Sequence, residues 1–242
     1  MKWIKRIIVW VLALFFCSTI LAVVAYRFIP VYATPLMFIR LVEQLKEGKQ
    51  LKMKHRWVSL DKMSQSLPVA VMASEDQLFL KHHGFDFDAI KQAAESNAAG
   101  KKLRGGSTIS QQTAKNVFLW QGRSWLRKGL EAYFTVLIEL VWSKQRIMEV
   151  YLNSIETGDG IYGAEAVARE NFGCTAAELK RSDCALIAAT LPNPRRYSSK
   201  DPSDYVVKRK FQIMKQMRFI PLMPGVGEDV DPSTVDSGIY KK

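Results

Sequence analysis

The stretch WLRKGLEAYFTVLIELVWSKQRIMEVY, Trp125–Tyr151, decides the fold class. Leu130, Phe134, Leu137, Ile138, Val141 and Trp142 recur in it at the three- and four-residue spacing of a helix with one apolar stripe. It reads as a buried central helix. Arg127 and Glu131 stand four apart and share a face of it. Spacing alone allows a surface ion pair, worth roughly 0.3–0.5 kcal/mol. Leu130, Tyr133, Phe134 and Leu137 make the surroundings of Glu131 apolar, however, and a carboxylate buried there needs a reason.

Upstream, KKLRGGSTISQQTAKNVFL breaks at Gly105 and Gly106, and Ser107 or Thr108 can cap a following helix. That helix would carry Gln112, Lys115, Asn116 and Leu119 along one side, presenting amides and an ammonium to a polar site. Before it, HRWVSLDKMSQSLPVAVMASED reads as a short extended piece leading into a helix, capped by Ser64 or Ser66, with Pro68 at an early helical position. Downstream, TGDGIYG is a Gly-rich turn, AEAVAREN restarts a helix and LPNPRRY ends another. The last fifteen or so residues are polar and read as frayed. The composite is one mostly α domain over residues 60–220.

The N-terminus sets the environment. Ile7–Tyr26 contains no charged residue. Twenty residues at about 1.5 Å each span roughly 30 Å, a bilayer core. Lys2, Lys5 and Arg6 precede the run, so the N-terminus is expected in the cytoplasm and the domain outside it. A cleaved signal peptide competes with an anchor, but no A-x-A site follows; a buried helix of a soluble core is a third reading. Phe28–Ile39 stays apolar but contains Pro30 and Pro35, which suits an interfacial segment better than a continued span. Leu41–Lys54 is charged and could be helical. The parts are therefore 1–6 basic tail, 7–26 transmembrane anchor, 27–59 membrane-proximal segment, 60–220 catalytic domain and 221–242 tail.

Lys and Arg number 35 against 23 Asp and Glu in 242 residues, a formal charge of +12. That favours an anionic partner. Outside a membrane this means lipid phosphate or a phosphorylated lipid substrate, not nucleic acid. Cys174 and Cys184 either pair as a disulfide or stay two isolated thiols, and neither has the spacing of a zinc site.

The chemistry centres on ASEDQLFLKHHGFDFDAI, Ala73–Ile90. Val69, Val71, Met72 and Ala73 lead into Glu75, and Leu78, Phe79 and Leu80 follow it. Such a setting raises a carboxylate pKa by desolvation and suits a general acid or base. Asp76 and Glu75 read equally as local capping or salt-bridge groups. His82 fits a hydrogen-bonding role better than a metal-ligand role, since no H-E-x-x-H is present. Glu75 and Glu131 with Lys115 and Arg127 suggest glycosyl transfer from a phosphorylated donor. The base deprotonates a sugar hydroxyl, and the cations stabilise the departing phosphate. Hydrolysis of glycans would need the carboxylates but not the cations.

Five ordered segments together resemble the peptidoglycan glycosyltransferases, the penicillin-binding-protein transglycosylases, and within them the monofunctional biosynthetic form. They are EDQLFLKHHG (75–84), RGGSTISQQTAKNVFL (104–119), RKGLEAYFTVLIE (127–139), SKQRIMEVYLNSIETGDGIYGAEAVA (143–168) and LPNPRRY (191–197). The resemblance implies a lysozyme-like domain with a small membrane-proximal jaw lobe, acting on lipid II and the lipid-linked glycan chain at the bacterial inner membrane, where other cell-wall synthesis proteins are potential partners. It implies Glu75 as catalytic base and Glu131 as the second essential glutamate. It implies Lys115 and Arg127 as donor-diphosphate contacts. Gln112, Thr108 and Asn116 match cleft positions, and Asp76, Phe79 and His82 match supporting ones. Mg²⁺ or Mn²⁺ is expected at the diphosphate, with no ligands assigned.

Two positions depart from the family pattern: Asn171, where an aromatic commonly precedes Phe-Gly, and Ser199, where Pro is common. About forty residues follow LPNPRRY, so a C-terminal transpeptidase and penicillin binding are not expected. The S-x-x-K of Ser59–Lys62 stands without K-T-G or S-D-N and reads as coincidence. A peptidoglycan-cleaving enzyme on a lysozyme-like scaffold is the alternative, and a non-catalytic membrane-anchored scaffold is a third reading.

Overall fold

The computed structural model describes residues 2–98, 106–122 and 124–226. Arg104, Gly105 and the polar C-terminal residues of the sequence reading lie outside them.

α1 (Lys2–Tyr26) is a single apolar helix of 25 residues, exposed along nearly all of its length, as a lipid-facing span requires. It is tied to the domain at specific points. Phe15 and Phe16 pack on Tyr133, whose hydroxyl lies 2.8 Å from Thr19 Oγ1. The Trp142 indole donates to the Val23 carbonyl at 2.8 Å, and Arg146 donates to the carbonyls of Tyr26 and Ile29.

The charged segment after the anchor folds differently from expectation. α2 runs Pro35–Lys46 rather than within Leu41–Lys54. Pro35 sits in its first turn, where no amide hydrogen is needed and the fixed φ suits a helix. Gln44 exchanges two hydrogen bonds with the Lys52 backbone, so the chain beyond Lys46 folds back on α2. Phe28 and Phe38 remain exposed near the anchor.

β1 (Lys54–His55) pairs in parallel with β3 (Ile161–Tyr162), which pairs antiparallel with β2 (Glu156–Gly158). TGDGIYG is thus the turn of a small hairpin. Gly163 follows it at φ +81°, where an added Cβ would lie 2.7 Å from the Asn153 carbonyl oxygen.

The rest is helical: α3 (Ser66–Glu75), α4 (Phe87–Ala98), α5 (Ile109–Phe118), α6 (Trp125–Val141), α7 (Lys144–Ser154), α8 (Ala164–Val167), α9 (Arg181–Thr190) and α10 (Asp204–Gln216). The sequence's single central helix is two. Trp142 and Ser143 are extended, and the Ser143 hydroxyl accepts the Arg146 amide as an N-cap. Capping overrides the apolar period there. α7 is the buried one: Ile147, Met148 and Val150 through Ser154 are all inside. α6 buries Glu131, Phe134, Thr135 and Ile138 and leaves Trp125, Leu126, Val136 and Leu140 outside. α5 packs between α6 and α7, and α3 packs on α9. The mostly helical, anchored architecture agrees with the lysozyme-like fold expected.

All three cysteines are free thiols. Cys174 and Cys184 are thus isolated thiols rather than a disulfide, and Cys184 is buried beside Ser64. Asn171 and Ser199, the two departures, meet: the amide donates to the hydroxyl at 2.8 Å.

Candidate active site

Glu75 is the last residue of α3, and the chain turns at Asp76, whose extended φ of −160° ends the helix. The apolar run before it fixes α3 in the core, so its final carboxylate is held rigidly at the core's edge. Its Oε2 accepts from Gln112 Nε2 at 3.0 Å and its Oε1 from Ser74 Oγ at 3.3 Å. Burial pushes the Glu75 pKa above the ordinary carboxylate range; the two hydrogen bonds and Arg209 oppose that push.

Asp76 has a different task. Its carboxylate takes His82 Nε2 at 2.9 Å and the Ile109 amide at 2.9 Å, at the start of α5. His82 Nδ1 accepts the Gly84 amide at 3.1 Å, which fixes the ring with its hydrogen on Nε2. Thr108 caps α5: its hydroxyl donates to the Gly84 carbonyl at 2.7 Å and accepts the Gln111 backbone amide, while the Gln111 side-chain oxygen accepts the Thr108 backbone amide. This is a capping box with an added tie to the motif turn. Gly84 has φ +89°, and a Cβ there would lie 2.8 Å from Thr135 Cγ2. Phe79 is fully buried, with its ring edge-on to His82 and Lys144 Nζ 4.5 Å from its centroid. Asp76, Phe79, His82 and Thr108 therefore lock the turn after Glu75 onto α5.

α5 then presents Gln112, Lys115 and Asn116 into a polar cavity of about 270 Å³, lined also by Arg40, Glu156 and Arg195. Leu119, placed on the same side by the sequence, is buried. Glu75 opens instead into a neighbouring cavity of about 430 Å³ with Asp86, Asp88 and Thr108 in its wall. Gln112 bridges the two, since it lines the first and bonds the carboxylate of the second. Burial lowers the Lys115 pKa; Glu131 and Glu75 act against that, and Arg127 and Lys128 with it.

The Arg127–Glu131 pair of the sequence reading exists. Arg127 Nη1 is 2.6 Å from Glu131 Oε2, and Lys128 Nζ holds Oε1. Glu131 is buried, at 3% exposure, so this is no surface pair. Arg127 also donates from Nε to the Gly122 carbonyl at 2.7 Å. Arg127 and Lys128 thus hold one buried carboxylate, and Lys115 lies near enough to feel its charge, so three cations stand against a single negative group.

Several neighbours were missed from sequence. Lys128 was findable, three residues before Glu131. Tyr151, whose hydroxyl donates to Gln112 Oε1 at 3.2 Å, looked like one more core residue of a helix. Arg40 reaches Glu156 across 116 residues at 3.2 Å and carried no local signal. Among the described residues no group of three His, Cys, Asp or Glu side chains is placed to hold a metal.

Residues 42–218 match the family model described as Transglycosylase. The chain is 61% identical over 215 residues to a biosynthetic peptidoglycan transglycosylase of Bacteroides thetaiotaomicron, covering 89% of this chain and 87% of that protein. It is 57% identical over 196 residues to the protein of the same description from Caulobacter vibrioides, covering 81% and 83%. The corresponding Shewanella oneidensis protein is 51% identical over 223 residues, covering 90% and 94%.

Proposed function

We infer the mechanism from the premise that this chain belongs to the transglycosylase family and is a membrane-anchored peptidoglycan glycosyltransferase. The substrate is lipid II together with the growing lipid-linked glycan. Glu75 takes the proton of the acceptor sugar's 4-hydroxyl. The freed oxygen attacks C1 of the donor sugar, and the C1–O bond to the diphosphate breaks with its electron pair leaving on the diphosphate. Attack opposite the leaving group turns an α-linked diphosphate into a β-1,4 bond and releases undecaprenyl diphosphate. The observation that carries this reading is a buried Glu75 bonded to Gln112 of α5, the same helix that carries Lys115, whose charge acts on both Glu75 and the Glu131 held by Arg127 and Lys128.

The roles follow from charge and reach. A diphosphate leaving group needs its growing negative charge stabilised rather than a proton supplied, and Lys115 and Arg127 supply that. Glu131, bonded to Arg127 and Lys128, sets where those cations point. Thr108 lines the cavity that Glu75 opens into, and Gln112 and Asn116 line the neighbouring one. Asp76, Phe79 and His82 hold the base's turn. A divalent cation, when bound, neutralises diphosphate charge. Both oxygens of Glu131 are already held by Arg127 and Lys128, so Glu131 itself offers no free ligand for it.

We place the N-terminal tail in the cytoplasm and the catalytic domain on the outer face, with α1 spanning between them; Lys2, Lys5 and Arg6 support this orientation. Anchoring confines enzyme and lipid-linked donor to one surface and raises their effective concentration. The test is to supply purified lipid II and preformed peptidoglycan in parallel. Polymer from the first without solubilisation of the second supports synthesis; solubilised muropeptides would support the cleaving alternative.

A further inference from the structure

Tyr151 of α7 is buried, and its hydroxyl has one hydrogen-bond partner among the described residues, Gln112 Oε1 at 3.2 Å. Gln112 turns its other end to Glu75 Oε2 at 3.0 Å. The three side chains form one line from α7 through α5 to the end of α3.

An amide can be reversed with little change of shape, so its partners decide which end faces which. A buried phenol must place its hydrogen on an acceptor or bear the cost of leaving it unpaired. With the amide as it stands, the phenol donates to Oε1 and the NH₂ faces Glu75. With the amide reversed, the phenol could accept from the NH₂, but its own hydrogen would lose the acceptor it has among the described residues. The carbonyl oxygen would then face Glu75, which only a protonated carboxyl could satisfy. Donation from the phenol also polarises the amide and strengthens its outgoing bond.

We propose that Tyr151 is the positioning residue of the base: by donating to Gln112 Oε1 it directs the Gln112 NH₂ at Glu75 and holds that carboxylate ionised and ready to accept a proton. This rests on Glu75 being the base. Burial keeps the Tyr151 phenol protonated, its pKa pushed well above the ordinary value, so it remains a donor at every working pH. The other groups acting on Glu75 are Ser74 and Asp76 beside it in the chain, Lys115 on α5 and Arg209 on α10, and Asp86 and Asp88 share its cavity.

The experiment measures kcat and KM for lipid II polymerisation against pH with the full-length, detergent-solubilised chain. It compares the wild type with Tyr151→Phe, Gln112→Leu, the double variant and Glu75→Gln. Tyr151→Phe is expected to move the acid limb of kcat to higher pH, to lose about tenfold on that limb, the scale of a hydrogen bond to a charged group, and to recover at alkaline pH with KM little changed. The double variant should be no worse than Gln112→Leu alone, because Tyr151 acts through that amide. A loss by the same factor at every pH, or multiplied losses in the double variant, would overturn the proposal. If Tyr151→Phe does not fold, Gln112→Leu must still show the raised limb, and an unshifted limb overturns it. Full activity in Glu75→Gln would instead remove the base assignment itself, so the two failures are distinguishable.

Discussion

Gln112 Nε2 lies 3.0 Å from Glu75 Oε2, so the buried carboxylate that ends α3 is answered by a donor from α5 rather than by a cation in direct contact. An uncharged donor leaves the base with a raised pKa, as burial dictates, yet still steadies its ionised form. Activity should therefore fall as pH drops through a value above the ordinary carboxylate range. Stability should run the other way. Between the unfolded and folded pKa values the native state holds the extra proton, so stability declines as pH rises through that window. Glu75→Gln should consequently melt higher than the wild type at neutral pH and match it in strong acid. Thermal unfolding at both pH values checks this; a lower melting temperature at neutral pH would contradict it.

Lys115→Ala should cost about 2.7–4 kcal/mol of transition-state stabilisation, roughly 10²–10³ in kcat, as removal of one preorganised donor does elsewhere. Lipid II turnover by the purified variant measures it. Wild-type turnover would remove Lys115 from the reaction. Arg127→Ala should lose activity too, because Glu131 then keeps only Lys128.

Asp76→Ala should destabilise the fold by about 1–3 kcal/mol for each of the two donors it strands in the interior, His82 Nε2–H and the first amide of α5. Urea unfolding with tryptophan fluorescence reads this directly. Asp76→Asn keeps an acceptor and should lose less. An Asp76→Ala variant as stable as the wild type would mean that the turn after Glu75 is held by other contacts.

Asn171 and Ser199 should behave as a unit. Either one changed to Ala should cost about 1 kcal/mol, the usual worth of one hydrogen bond, and the double change little more. A double-mutant cycle on melting temperature checks it; additive losses would show that the 2.8 Å contact carries no coupling.

What the sequence revealed here followed from short-range rules. Thr108 as a cap, Arg127 with Glu131 at helical spacing and the apolar run of α1 are each determined within a few residues, and the structure keeps all three. The break in the central helix is hidden in the sequence because the apolar period continues past Trp142, while one hydroxyl, that of Ser143, restarts the helix. The Tyr151–Gln112 and Arg40–Glu156 contacts cross 39 and 116 residues, and no local pattern encodes such meetings. Asn171 and Ser199 stood out singly as departures, but only the fold shows them touching.

The central claim is that Glu75 is the base that joins lipid-linked sugars. The most direct measurement is glycan polymer formed from purified lipid II by the wild-type chain and by Glu75→Gln, each product then digested with muramidase. Muramidase-sensitive polymer from the wild type, and none from a folded Glu75→Gln variant, is the predicted result. Equal polymer from both would contradict the account.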